Sequence, residues 1–240
     1  MEQFKLSEVN VQLWDKYNVS FTPHTDVNII VGINGSGKTT LLTEIEKAAK
    51  DVAMGDGECI YIPSVDNLIA KDGRKKSTAL SQYLDSYIYD MKTGPSLMYY
   101  RMSMLDAPSS VQIRVKERIN KLLAIINGLF KETDKKIEID GNKFIIYSDG
   151  DVLPLVSLSS GEKQLLLILL MVFLTDEKDA VILIDEPENS LDISWQYKLI
   201  NLLTDLNPNA QFFITTHSPS IFGDGWGDRI IYLEDVRHKI

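Results

Sequence analysis

Residues 27–46 read Val27-Asn28-Ile29-Ile30-Val31, then Gly32-Ile33-Asn34-Gly35-Ser36-Gly37-Lys38-Thr39, then Thr40-Leu41-Leu42-Thr43-Glu44-Ile45-Glu46. The first run is short and apolar, of strand type, and the last carries apolar residues at helical spacing. The eight residues between them satisfy G-x-x-x-x-G-K-[ST] at every fixed position. Gly32, Gly35 and Gly37 let the backbone curl until its N–H groups face an anion. The helix that follows adds free N–H groups and its dipole. Lys38 supplies a mobile cation for β- and γ-phosphates, and Thr39 offers a hydroxyl to Mg²⁺. Strand, loop and helix together predict a nucleotide site whose contacts are Gly32, Asn34, Gly35, Ser36, Gly37, Lys38, Thr39 and Thr40.

A second stretch, Val181-Ile182-Leu183-Ile184-Asp185-Glu186, is an apolar strand ending in two carboxylates. A strand buried on both faces of a parallel sheet has this composition. Asp185 at its tip can hold Mg²⁺, directly or through water. Glu186, one residue on, is placed to orient and deprotonate an attacking water. Alone, two acidic residues could equally mark a solvated strand end; a phosphate loop earlier in the same chain favours the chemical role. Between the two lies Leu158-Ser159-Ser160-Gly161-Glu162-Lys163-Gln164, followed by an apolar helix. Ser and Gly at a helix start give a hydroxyl and outward N–H groups, which is either an ordinary N-cap or another anion site.

In this order, the motifs resemble the nucleotide-binding domain of ABC-type ATPases, specifically the RecF/SMC/OLD-like branch. The matching elements are Gly32–Thr39, Leu158–Gln164, Val181–Glu186, Ser190-Leu191-Asp192 and Thr215-Thr216-His217-Ser218. The resemblance implies an α/β P-loop NTPase: an ABC-type ATPase core with a flanking antiparallel sheet and a helical subdomain. It implies ATP and Mg²⁺ as cofactors, with Thr39 and Asp185 on the metal. It also implies a homodimer in which two ATP molecules are held between copies, each touching the phosphate loop of one and Ser159 and Gly161 of the other. Asp192 would lie at the seam. Glu186 would be the general base, and His217 a switch residue reaching the γ-phosphate and attacking water. Phe212-Phe213-Ile214-Thr215-Thr216 puts His217 at a strand's carboxyl end, where α/β sheets bind ligands; a capping or core histidine is the alternative. Lys38, Glu186 and His217 form the candidate catalytic set.

The remaining composition sets limits. The 240 residues allow one domain with a sizeable insertion, expected at about residues 66–135 and helical. One cysteine, Cys59, excludes an internal disulfide and fits a cytoplasmic location. The N-terminus lacks a basic stretch followed by an apolar run, so no signal peptide is expected. The longest apolar run, Leu165 through Leu174, is shorter than the roughly 20 residues a membrane helix needs, so no membrane insertion is expected. The net charge of −9 opposes non-specific nucleic-acid binding by the whole surface. Residues 71–136 nevertheless carry 13 basic and 7 acidic residues, which is either a solvated helical surface or a contact for nucleic acid or an acidic partner.

Within the middle segment, Leu80–Met91 and Val111–Phe130 have helical spacing. Lys136–Asp140, Lys143–Ser148 and Val152–Leu155 read as strands joined by turns at Gly141-Asn142 and Asp149-Gly150. Asp149 and Asp151 are turn formers in this reading, not metal ligands. Strands are also expected near Phe4–Val11 and Tyr17–Phe21, where Tyr17 and Phe21 read first as ordinary strand residues and second as adenine contacts. Three departures from the family pattern stand out. No glutamine occurs in Ser64-Val65-Asp66-Asn67, where a Mg²⁺-sensing one is common. No long coiled coil separates the loop from the Ser159 motif, which excludes SMC-type arms. No basic residue follows Gln164 closely, which argues against a transporter. Two functions remain. One is an ATP-hydrolysing switch controlling a separate effector such as a nuclease or toxin, in DNA repair or anti-phage defence. The alternative is the ATP-binding subunit of an ABC membrane transporter.

Overall fold

Five parallel strands rich in Val, Ile, Leu and Phe form the main sheet of the fold. The computed structural model describes residues 4–52, 57–65, 76–92, 94–223 and 225–240. These fall into two compact units, one of residues 1–64 with 175–240, the other of residues 65–174.

In the first unit, β1 (Val9–Leu13) and β2 (Tyr17–Phe21) form an antiparallel hairpin. Then follow β3 (Val27–Val31), α1 (Lys38–Val52) and β4 (Glu58–Ile62). The second unit begins with α2 (Lys76–Tyr89), α3 (Leu97–Met102) and α4 (Ser109–Phe130). The meander β5 (Lys135–Asp140), β6 (Lys143–Ser148) and β7 (Asp151–Leu153) follows, and α5 (Ser160–Phe173) ends it. Back in the first unit come β8 (Ala180–Asp185), α6 (Ile193–Leu206), β9 (Gln211–Thr216), β10 (Ile230–Tyr232), α7 (Leu233–Val236) and β11 (Arg237–Lys239).

The first unit's main sheet has the order β10-β3-β9-β8-β4, every pair parallel. All residues of β8 and β9 are buried, as strands covered on both faces must be. The apolar face of α1, with Leu41, Leu42, Ile45 and Ala49, packs in one cluster with Ile30, Val181, Leu183 and Phe213, and with Val9, Leu13 and Val19 of the flanking sheet β1-β2-β11. This topology places β9 between β3 and β8, so the loops at their three carboxyl ends are neighbours.

The first strand begins later than the sequence suggests. Leu6 gives its N–H and C=O to the carboxamide of Gln211, at 2.8 and 3.0 Å, so a side chain occupies the bonds a strand partner would take. In the second unit, the meander turns as its sequence requires. Asp149 and Gly150 have φ of 52° and 88°, the two left-handed positions of a tight hairpin turn, and Gly141 has φ 55°. The helix Leu97–Met102 lies between the two helices read from the sequence. Ser96 caps it by accepting the N–H of Tyr99 at 3.1 Å. Asp66, Asn67, Arg74 and Lys75 lie outside the described residues. Among those described, no helix is long and apolar enough to cross a membrane.

Candidate functional site

The loop from β3 to α1 cannot be built from ordinary residues. Gly35 and Gly37 have φ of 78° and 105°. A Cβ on Gly37 would also stand 2.6 Å from the indole of Trp14. The N–H groups of Lys38, Thr39 and Thr40 open α1 without intrahelical acceptors, while Leu41 is the first to bond back, to Gly37 O at 2.8 Å. The buried Nζ of Lys38 curls over this loop. It donates to the carbonyls of Gly32 at 2.9 Å and Ile33 at 3.3 Å, and lies 3.2 Å from Oε1 of Glu186. Ser36 Oγ is buried with no partner.

Asp185 ends β8 and meets this loop. It accepts the hydroxyl of Thr39 at 2.9 Å, that of Thr215 at 2.7 Å and that of Tyr61 at 3.4 Å. Burial pushes its carboxyl above the ordinary value, the charge of Glu186 adds to this, and the three hydroxyl bonds oppose it. The chain then reverses. Glu186 takes a left-handed φ of 44°, held by its N–H donating to both the carbonyl and the hydroxyl of Thr215 at 3.1 Å. Such backbone is costly for a non-glycine residue and persists where surroundings fix it. His217, 45% exposed, follows β9, with Nδ1 3.8 Å from Glu186 Oε1 and 3.2 Å from Glu188 Oε1.

Thus Lys38, Thr39, Asp185, Glu186 and His217, far apart in sequence, meet at one end of one sheet. Asp192 is placed otherwise: it caps α6, accepting the N–H of Ser194 at 2.8 Å. Ser159 and Gly161 belong to the second unit. There Ser159 Oγ accepts the N–H of Glu162 at 3.1 Å, and Glu162 Oε2 accepts the N–H of Ser159 at 2.7 Å, a complete capping box. At this helix start the N–H groups of Ser160 and Gly161 have no acceptor within the helix; Ser159 is exposed and Gly161 is buried. Glu162 is itself anchored by Lys135 at 2.9 Å and Thr133 at 2.8 Å. Lys163 reaches the carbonyl of Val156 at 2.8 Å, and burial lowers its pKa.

The donors fit the metal the motif implies. A threonine hydroxyl and one carboxylate are hard oxygens, and Mg²⁺ takes one or two such protein groups, completing its shell with phosphate and water. The basic middle stretch is partly spent internally. Arg118 is buried and donates to Phe173 O at 2.8 Å, Lys136 pairs with Glu138 at 2.6 Å, and Arg101 holds Gly141 and Asn142 of the turn.

No sequence motif marks Trp14. It sits at the β1–β2 turn with φ 53°, is 48% exposed, and rests against Gly37. Beside it, Arg237 lies 4.8 Å over the ring of Tyr17 and donates to Ser36 O at 2.7 Å. Tyr17 and Phe21 lie in β2 and pack against the core, as strand residues do. Only the contact with Gly37, 23 positions away in the chain, marks Trp14 out.

A phosphate loop, an acidic strand and a histidine at the ends of one parallel sheet define a P-loop ATPase of the ABC and AAA class. Residues 99–223, more than half of the chain, match the family model described as "AAA domain, putative AbiEii toxin, Type IV TA system", and the chain belongs to that family. Its fold is similar to an SMC head in the structure titled "Crystal structure of the SmcHead bound to the C-winged helix domain of ScpA". That likeness has TM-score 0.53 and 17% identity, covering 88% of this chain and 91% of the other. The SMC head domain from Thermotoga maritima is similar at TM-score 0.51 and 14% identity, covering 86% of each chain. No curated protein matches the chain.

Proposed function

We propose that this chain is a Mg²⁺-dependent, ATP-hydrolysing switch that acts as a homodimer around two ATP molecules and controls a separate effector protein. The observation that carries it is the meeting of Lys38, the Thr39–Asp185 pair and Glu186 at one sheet end, with Lys38 3.2 Å from Glu186. Lys38 is held by two carbonyls and a carboxylate, which phosphate oxygens can replace. That exchange releases Glu186 from its ion pair and leaves it free to accept a proton from water. Mg²⁺, held by Thr39 and Asp185, supplies the charge that neutralises the phosphates. Trp14 offers its exposed face to the base, and the loop N–H groups with Lys38 grip the phosphates.

Two observations support the pairing of copies. Ser159 at the N-terminus of α5 is exposed, and Lys163 in its first turn is spent on the carbonyl of Val156. Ile33 in the phosphate loop and Ile193 beside Asp192 are 70% and 59% exposed, large apolar side chains for a second copy to cover. A toxin–antitoxin setting is supported by the family's description, which names a putative AbiEii toxin and a type IV TA system. The ScpA domain bound to the similar SMC head supports a separate protein partner. Cys59 as the one cysteine fits the cytoplasm.

Phosphate release from Mg·ATP is the test. The wild-type protein should hydrolyse ATP, and Glu186→Gln should still bind it while losing about 10²–10⁴-fold in rate, because an amide cannot act as base. No release by the wild type overturns the reading. Near-normal turnover by Glu186→Gln removes Glu186 from the role of base.

A further inference from the structure

Glu188 stands outside the residues that the motifs supply, yet one of its carboxylate oxygens meets three groups beside the site. Its side chain is 4% exposed. Oε1 accepts the hydroxyl of Thr216 at 2.7 Å and the backbone N–H of His217 at 2.8 Å, and lies 3.2 Å from Nδ1 of the His217 ring. Oε2 is buried with no partner. One oxygen therefore gathers the end of β9, the backbone of the next residue and that residue's imidazole.

A buried carboxylate is costly unless a cation or several donors compensate it. Among the described residues no lysine or arginine pairs with Glu188. The other carboxylate facing Nδ1, Glu186, is farther from it at 3.8 Å and already has Lys38 at 3.2 Å. The imidazole of His217 is thus the ionisable group that can balance Glu188. Capping a strand end needs only the backbone bond, and a neutral side chain would serve; a buried carboxylate beside a ring nitrogen does more.

Building on the ATPase reading above, we infer that Glu188 is a positioning residue for His217. It accepts a hydrogen bond from Nδ1–H, fixes the ring's plane and tautomer, and leaves Nε2 as the nitrogen free for the γ-phosphate or the attacking water. A carboxylate that holds one imidazole nitrogen orients the other and raises its basicity. Without such a partner, neutral imidazole in water favours the proton on Nε2. The half-exposed ring makes Nε2 reachable by a ligand, while its inner edge is held.

Two measurements test this. Ring nitrogens of His217 are observed by ¹H–¹⁵N NMR in protein labelled at histidine, the signals being assigned by their loss in His217→Gln. The expected wild-type spectrum has Nδ1 protonated; a neutral ring protonated on Nε2 with bare Nδ1 overturns the proposal. Glu188→Gln keeps an acceptor for Thr216 and the His217 N–H but removes the charge. Its kcat for ATP should fall about 10–100-fold with KM unchanged. An unchanged kcat, even with lowered thermal stability, would leave Glu188 a merely structural group and sink the inference. Should the wild type hydrolyse no ATP, the ATPase reading fails while the NMR result still decides the role of Glu188.

Discussion

Trp14 and Asp15 both adopt left-handed backbone, with φ of 53° and 55°, in a turn closed by Lys16 N–H to Leu13 O at 3.1 Å. Such a turn asks for Asn or Gly, and a bulky residue there costs about 1–2 kcal/mol. The indole lies half-exposed against the loop glycine it would clash with if Gly37 had a side chain. If Trp14 is the platform for the base, stability and binding should move separately. Trp14→Asn relieves the turn and should leave thermal stability near wild type. It should also remove about 1–3 kcal/mol of ATP binding, the worth of one base stacked on an aromatic ring. Titration with a fluorescent ATP analogue checks this, and equal affinity would remove Trp14 from the site. The contrast with Lys38 shows what sequence can carry. Lys38 is legible because its partners, Gly32 and Ile33, are its close neighbours in the chain. Trp14 touches Gly37 only after two sheets have been assembled. The left-handed φ of Glu186 and the three contacts of Glu188 depend in the same way on β9 lying beside β8.

Among the elements, α5 is the one whose start has to be rigid. Its capping box holds Ser159 in place, and Glu162 is in turn pinned by Lys135 and Thr133. Burial raises the Glu162 pKa, but the bonds from Lys135, the Ser159 N–H and Thr133 outweigh it, so the carboxyl titrates below its ordinary 4.5. A carboxylate whose folded pKa is depressed stabilises the fold above the unfolded value, and that contribution is lost as pH falls through the folded one. Glu162→Gln should therefore cost about 3 kcal/mol at pH 7, as removal of one partner of a buried pair does. The gap to wild type should narrow below pH 4.5. Urea midpoints at the two pH values measure it; a gap independent of pH would mean that Glu162 acts by packing alone. At this scale periodicity reads well. The helix ending at Phe130 and the strand Lys143–Ser148 stand where alternation and turn residues put them. The short helix Leu97–Met102 escapes because six residues hold less than two turns of pattern, and its signal is one serine cap.

For the whole molecule the decisive quantity is the number of chains that close around nucleotide. The parallel sheet follows from the motifs, since a phosphate loop and an acidic strand in one chain require an α/β core, whereas the flanking antiparallel sheet is legible only through the family resemblance. A second copy leaves no such mark, because a surface that pairs with itself is assembled from loops distant in sequence. If two copies hold two ATP molecules, Glu186→Gln with Mg·ATP should double in mass by sedimentation, and the wild type should do so transiently. Adding Ser159→Arg places a long cation where a neighbouring phosphate loop must approach. It should keep the protein monomeric while each chain still binds ATP, because the phosphate loop is untouched. A Glu186→Gln/Ser159→Arg protein that still pairs would separate the α5 N-terminus from nucleotide. On the same reading, a trapped Glu186→Gln dimer would also be the bait for an effector, since a nucleotide switch would act in the state that hydrolysis ends. Purified from its native host with Mg·ATP, it should retain a toxin or nuclease that the Ser159→Arg form loses. Recovery of the same partner by both forms would show that binding is independent of pairing, and the switch would then have to act within one chain.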